Sequence, residues 1–72
     1  MEPIHFALRG EYITLDALLK ASGLVTSGGA AKLLIADGGV RVNGQVETRR
    51  GRKLRAGDEV RLGETVVRVQ AS

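Results

Sequence analysis

The dipeptide Asn43-Gly44 constrains this 72-residue chain more than any other feature, because it predicts where the chain turns back on itself. Both central residues of a two-residue hairpin turn need positive φ, which Asn and Gly adopt readily. Alternating apolar residues on both sides predict two antiparallel strands. A strict two-residue turn would place Val42 and Val46 on opposite faces, so we expect a bulge or a very short second strand.

Two helices are predicted before this hairpin, because apolar residues recur there at helical spacing. The first is predicted over 15–22, with Thr14 as its N-cap. The second is predicted over 28–37 and begins after a cap at Ser27 or Thr26. A glycine follows each helix and is typical of a helix end. The link between the helices is short, so we expect them to pack as neighbours.

The rest of the chain is predicted as strands and one loop. Residues 4–9 alternate as in a half-buried strand, and residues 48–55 form a charged loop. A second hairpin turns at Gly63-Glu64, which places Glu59 beside Arg68 as a cross-strand pair. This order predicts an α+β fold in which two packed short helices lie on a small, mainly antiparallel sheet.

Length and composition exclude several classes of protein. We expect one domain over residues 1–72, with a thin core and little room for a deep substrate pocket. The chain has no cysteine and a single histidine, His5, which we place outward on the first strand. We therefore expect no enzyme activity, cofactor, metal site or small-molecule substrate. No segment is predicted to be a signal peptide or a membrane span, so we expect a cytoplasmic protein.

Positive charge is concentrated between residues 41 and 55, where six basic residues face only one acid, Glu47. Such concentration is typical of an anion-binding surface, and arginine, the commonest base here, suits phosphate. Aromatic residues are almost absent, and of Phe6 and Tyr12 we place the first in the core. Few aromatic side chains are therefore available to stack on unpaired bases, which favours folded or double-stranded RNA as the ligand.

Two segments are predicted to contact RNA. Gly28 and Gly29 open the second helix and leave its backbone N–H groups accessible to a phosphate, with Lys32 one turn further on. Close packing between the helices explains the two glycines equally well. The basic loop is expected to be exposed, so that its arginines can be replaced without unfolding the protein. The candidate RNA-binding residues are Ser27, Gly28, Gly29, Lys32, Arg41, Asn43, Arg49, Arg50, Arg52, Lys53 and Arg55.

Five separated elements of the chain form a recognisable series: Thr14-Leu15-Asp16-x-x-Leu19, Gly23-Leu24-x-x-Ser27, Ala31-Lys32-x-x-Ile35, Gly39-Val40-x-Val42-Asn43-Gly44 and Gly57-Asp58-x-Val60. In this order they resemble the S4 RNA-binding domain, named after protein four of the small ribosomal subunit, over about residues 12–62. The segment 49–54 is similar to that of small stand-alone bacterial members. Thr14 and Gly28 stand where the family commonly has arginine, and we expect the basic loop to replace part of that charge.

The resemblance implies that the helix pair and the hairpin bind structured RNA, either ribosomal or transfer RNA. It also implies the ribosome or one of its subunits as a partner. Two other functions compete with it. One is a protein-interaction adaptor whose basic loop binds an acidic partner. The other is duplex DNA binding through the helix pair, which small residues at the start of the second helix disfavour because they cannot read base edges.

Overall fold

Residues 2–72 are described by a computed structural model with two helices and seven strands, in the order β1, β2, α1, α2 and then β3 to β7. The helices are α1 (Leu15–Ala21) and α2 (Gly28–Ala36). The strands are β1 (Ile4–Ala7), β2 (Ile13–Thr14), β3 (Val40–Val42), β4 (Gln45–Val46), β5 (Lys53–Leu54), β6 (Glu59–Leu62) and β7 (Thr65–Gln70). The α+β class is confirmed.

The main sheet has five strands in the order β1-β7-β6-β3-β4. Its neighbours are antiparallel except at one edge, where β1 lies parallel to β7. This parallel pair joins the first strand of the chain to the last and closes the fold. A second, two-stranded sheet joins β2 to β5.

Both hairpins form in the predicted register. Asn43 (φ 52°) and Gly44 (φ 86°) make the first turn, and β4 is the very short strand that the sequence requires. Val42 is buried while Val46 is exposed on the other face. In the second hairpin Glu59 pairs with Arg68, whose Nε lies 3.3 Å from a Glu59 carboxylate oxygen.

The helix ends lie where the sequence predicts them to within one residue. Ser27 caps α2 by accepting a hydrogen bond from the Ala30 N–H at 3.1 Å, and Gly23 follows α1 with φ 77°. Thr14 is the N-cap residue of α1, as predicted, but its side chain makes no capping hydrogen bond. Backbone carbonyls of the charged loop accept hydrogen bonds from the first N–H groups of α1 instead.

The predicted loop 48–55 is wrong in its second half. Lys53 and Leu54 form β5, which pairs with Thr14 and Ile13 of β2. Leu54 is fully buried in the core, so its burial fixes a segment that looks uniformly polar in the sequence. The charged stretch is therefore a short loop that ends in an ordered strand.

A single cluster of buried side chains joins the helices to the inner face of the sheet. Its members are Leu8, Leu15, Leu18, Leu19, Ala31, Ile35, Val40, Val42, Leu54, Val60, Val67 and Val69. The helices thus cover one face of the sheet and leave the other face to solvent. Neither helix of residues 2–72 has the length and apolar character needed to cross a membrane.

Candidate nucleic-acid interface

The basic loop is held in shape by Glu47, the one buried charged residue among residues 2–72. Its carboxylate accepts hydrogen bonds from Nε and Nη2 of Arg49, both at 3.1 Å, and from Nη1 of Arg52 at 2.8 Å. The backbone N–H of Arg49 adds a fourth bond at 3.1 Å. One acid therefore fixes two arginines and the backbone between them.

These contacts lower the pKa of Glu47 from 4.5 to about 2. The side-chain hydrogen bonds from Arg49 contribute most and those from Arg52 come next, and together they outweigh the burial, which raises the pKa. The same pairing raises the pKa of Arg49. The ion pair is therefore fully charged near neutral pH.

The loop backbone is docked on the first turn of α1. The Leu15 N–H donates to the Arg52 carbonyl at 2.8 Å, and the Asp16 N–H donates to the Arg50 carbonyl at 3.1 Å. Helix geometry leaves these N–H groups without partners inside the helix, so the loop supplies them. The arginine side chains consequently project from a backbone that is anchored on both sides.

Tyr12 lies against the cations at the end of this loop. Its ring is 45% exposed, and the Lys53 ammonium lies 4.9 Å and the Arg55 guanidinium 5.8 Å from the ring centroid. Both distances fall within the range of a cation–π contact. The β2–β5 register explains the contact, because Ile13 pairs with Leu54 and so places Tyr12 beside Arg55.

Asp58 connects the loop to the first hairpin. Its carboxylate accepts hydrogen bonds from the Arg55 N–H at 2.8 Å and from Nδ2 of Asn43 at 3.0 Å. Burial raises the pKa of Asp58, but these bonds and the charges of Arg52 and Arg55 outweigh it and leave the pKa below its ordinary value. The side-chain oxygen Oδ1 of Asn43 also accepts a hydrogen bond from the Glu59 N–H, so both polar atoms of this side-chain amide have partners within the fold.

The start of α2 forms a second group of candidate residues. An added Cβ at Gly28 would meet nothing within 4 Å, and one at Gly29 would meet only the Ser27 hydroxyl at 3.9 Å. The packing explanation for these glycines is therefore wrong, and the residues that α2 buries are Ala31 and Ile35. Lys32 is exposed on the same helix.

The structure thus places the candidate residues in four locations, of which the turn of the first hairpin holds Asn43. Arg49, Arg50, Arg52, Lys53 and Arg55 lie together in the basic loop and the strand end that follows it. The α2 group lies on another element, and Arg41 points from the outer face of the sheet, directly opposite Arg61. Their contact with RNA stays a prediction. We name the five loop residues with Tyr12 and Glu47 the basic cluster.

Sequence reasoning missed two members of the basic cluster. Glu47 could have been found from the sequence, because it is the only acid between Arg41 and Arg55 and precedes Arg49 by two residues. Tyr12 lies some forty residues from its cationic partners, and only the β2–β5 register reveals the contact. The exposed loop that the sequence predicts is also partly wrong, since the Arg52 side chain is only 34% exposed and its partner Glu47 is 9% exposed.

The remaining polar groups of residues 2–72 do not assemble a metal site. His5 lies outward on β1, where its Nδ1 is 2.7 Å from Nε2 of Gln70. Within residues 2–72, no three His, Asp or Glu side chains are grouped so that they could hold a metal ion.

The family model of the S4 domain matches residues 6–70. The chain belongs to the S4 domain family. The match extends beyond both ends of the segment 12–62 that carries the resemblance in the sequence. It covers the helix pair, both hairpins and the whole basic cluster.

Two curated relatives and one solved structure are similar to this S4 domain protein. It is 44% identical over 52 residues to the probable ribosome maturation protein RlbA of Bacillus subtilis, which covers 72% of this chain and 73% of the relative. It is 43% identical over 60 residues to the putative RNA-binding protein YbcJ of Escherichia coli, covering 83% and 86%. The solution structure of Escherichia coli YbcJ, described as revealing an αL motif involved in RNA binding, superposes with a TM-score of 0.75. That superposition has 39% identity and covers 99% of this chain and 91% of the other.

Proposed function

We propose that this protein is a non-catalytic RNA-binding protein that recognises structured RNA through its basic cluster. The observation that carries the proposal is the anchored loop, in which Glu47 and the first turn of α1 fix a set of arginines before any ligand arrives. A surface that is already ordered loses little conformational entropy on binding. Family membership and the names of the relatives support the same function.

Three cations of the basic cluster are available to phosphates. Among residues 2–72, the ion pairs involve Arg49, Arg52 and Arg68, so Arg50, Lys53 and Arg55 have no carboxylate partner within that part of the chain. Cations without a carboxylate partner can bind RNA phosphates and release their counterions without first breaking an ion pair within the protein. We assign Arg50, Lys53 and Arg55 as the main phosphate contacts, with Arg49 and Arg52 as residues that shape the loop and reach the RNA beside them.

We further propose ribosomal RNA, in the ribosome or a particle derived from it, as the partner in the cytoplasm. The support is the relative named as a probable ribosome maturation protein, which shares 44% of the aligned residues. The α2 start, with Ser27, Gly28, Gly29 and Lys32, would add a phosphate contact at the positive end of the helix dipole. Arg41 would meet RNA only where the ligand wraps onto the outer face of the sheet.

The proposal is tested by measuring the affinity for a hairpin RNA across a range of salt concentrations. With about four phosphate contacts, log K should fall against log salt with a slope of about −3 to −4. The double substitution Arg50→Gln with Arg55→Gln should weaken binding and make this slope shallower by nearly two. The matched control, Lys20→Gln with Arg61→Gln, removes the same charge from other elements and should change the affinity much less.

Two results would contradict the proposal. Equal losses from both double variants would mean that the basic cluster has no special role and that only net charge matters. Tighter binding to an unstructured oligomer than to the hairpin, or binding that ignores salt, would exclude structured RNA as the ligand. Binding of an acidic protein in place of RNA would favour the adaptor function.

A further inference from the structure

A cleft of about 370 Å³ lies beside the basic cluster, between β1 and the start of β2. Phe6, Arg9, Tyr12 and Ile13 are among the residues that line it. Its volume falls within the range of roughly 300–1,000 Å³ that is typical of pockets for small organic groups. We name it the Tyr12 cleft.

Tyr12 joins this cleft to the cations. Lys53 and Arg55 contact the ring, but neither lines the Tyr12 cleft. Lys53 instead lines a neighbouring basic cleft with Arg49 and Arg52. The aromatic ring therefore borders a cleft with a partly apolar lining and also contacts two cations, which matches the two halves of a nucleotide, a flat base and a phosphate.

The edge of β1 adds hydrogen-bonding groups to the same cleft. This strand pairs only with β7, so its other edge has no partner strand within the sheet. His5, Phe6 and Ala7 of β1 line the cleft, and an unpaired strand edge presents backbone donors and acceptors. Such groups can bind the polar edge of a base that stacks on an aromatic ring.

We propose that the Tyr12 cleft binds one unpaired nucleotide of the RNA, with its base stacked on Tyr12 and its phosphate held by Lys53 and Arg55. This inference rests on the proposed RNA-binding function and makes it more specific. The ligand is then not a uniform helix but a helix that carries a bulged or looped-out nucleotide. The sequence by itself argued against stacking because aromatic residues are almost absent, and only the fold shows that Tyr12 lies beside the cations.

Two hairpin RNAs test the proposal, one fully paired and one with a single bulged nucleotide in its stem. The protein should bind the bulged hairpin more tightly, by about 5- to 150-fold, which is the range expected for stacking of one base on an aromatic side chain. Tyr12→Leu should remove this preference, while Tyr12→Phe should keep it. Leu33→Ala, which removes an exposed apolar side chain of α2 outside the cleft, is the matched control and should leave the preference unchanged.

A measurement on the unaltered protein guards against a variant that fails to fold. A fluorescent 2-aminopurine at the bulge should be quenched further on binding, because it stacks on the ring. Equal affinity for the two hairpins, or no change in fluorescence, would overturn the nucleotide site while leaving the proposed function intact. If neither hairpin binds the protein even at low salt, the proposed function itself is overturned. Capture of an extended peptide at the β1 edge, in competition with neither hairpin, would also refute the nucleotide site.

Discussion

Replacing Glu47 by glutamine should destabilise the protein, because it removes the charge that holds the basic loop. The fall in pKa from 4.5 to about 2 sets an upper limit of about 3–4 kcal/mol for this contribution, since one pKa unit corresponds to about 1.4 kcal/mol. The Arg49 side chain is 73% exposed, so solvent screens part of the attraction. We therefore expect Glu47→Gln to lower the free energy of unfolding by about 1–2 kcal/mol.

The assay is thermal unfolding followed by circular dichroism. In a protein of this size 1 kcal/mol shifts Tm by about 4–8 °C, so Glu47→Gln should melt about 5–15 °C lower than the natural protein near neutral pH. Glu64→Gln is the control, because it removes the same charge from the exposed hairpin turn at Gly63-Glu64. That variant should shift Tm by only a degree or two.

The pH dependence gives the prediction its sign. The pKa of Glu47 is depressed in the folded protein, so its stabilisation is complete above about pH 4.5 and is lost as the pH falls towards 2. The difference in Tm between the natural protein and Glu47→Gln should therefore shrink across that range. A difference that stays constant with pH, or a variant as stable as the control near neutral pH, would refute the role of the carboxylate.

Substitutions at three further positions test how local geometry sets stability and binding. Gly28→Ala adds a methyl group in open space at the first turn of α2, so Tm should stay equal or rise by a few degrees. The affinity for hairpin RNA should fall, and an unchanged affinity would exclude the α2 phosphate contact. Gly39→Ala would place a Cβ 2.9 Å from Leu34 Cδ1 and 3.3 Å from its carbonyl oxygen, so we expect a loss of about 1–2 kcal/mol in denaturant unfolding, and an unchanged midpoint would mean that the backbone relaxes. Asn43→Ala should lower the free energy of unfolding by about 2 kcal/mol, because alanine is strained at positive φ and cannot make the two hydrogen bonds to the Asp58-Glu59 segment. Asn43→Gly should lower it less, because glycine adopts positive φ freely and only the hydrogen bonds are removed. Equal losses would show that φ is unimportant there.

The elements of this fold that depend on neighbouring residues could be predicted from the sequence. Ser27 caps α2 through an N–H only three residues away, and Asn43-Gly44 supplies the positive φ that its own turn requires. The register of the second hairpin follows from its turn in the same way, so Glu59 faces Arg68 as expected. In each case the interaction closes a short loop of chain, and the residue types within that loop decide the outcome.

Only the tertiary structure decided how distant segments meet, and the basic cluster depends on those meetings. The pairing of β2 with β5 buries Leu54, turns two residues of the predicted loop into a strand and places Tyr12 beside Lys53 and Arg55. No local pattern specifies such a pair, because two-residue strands carry almost no periodicity and many polar segments could occupy the same edge. The choice is made by burial of Leu54 in a core that forms only when the whole chain has closed. The sequence therefore determines which charges this protein has, and the fold determines which of them Glu47 holds and which have no carboxylate partner among residues 2–72.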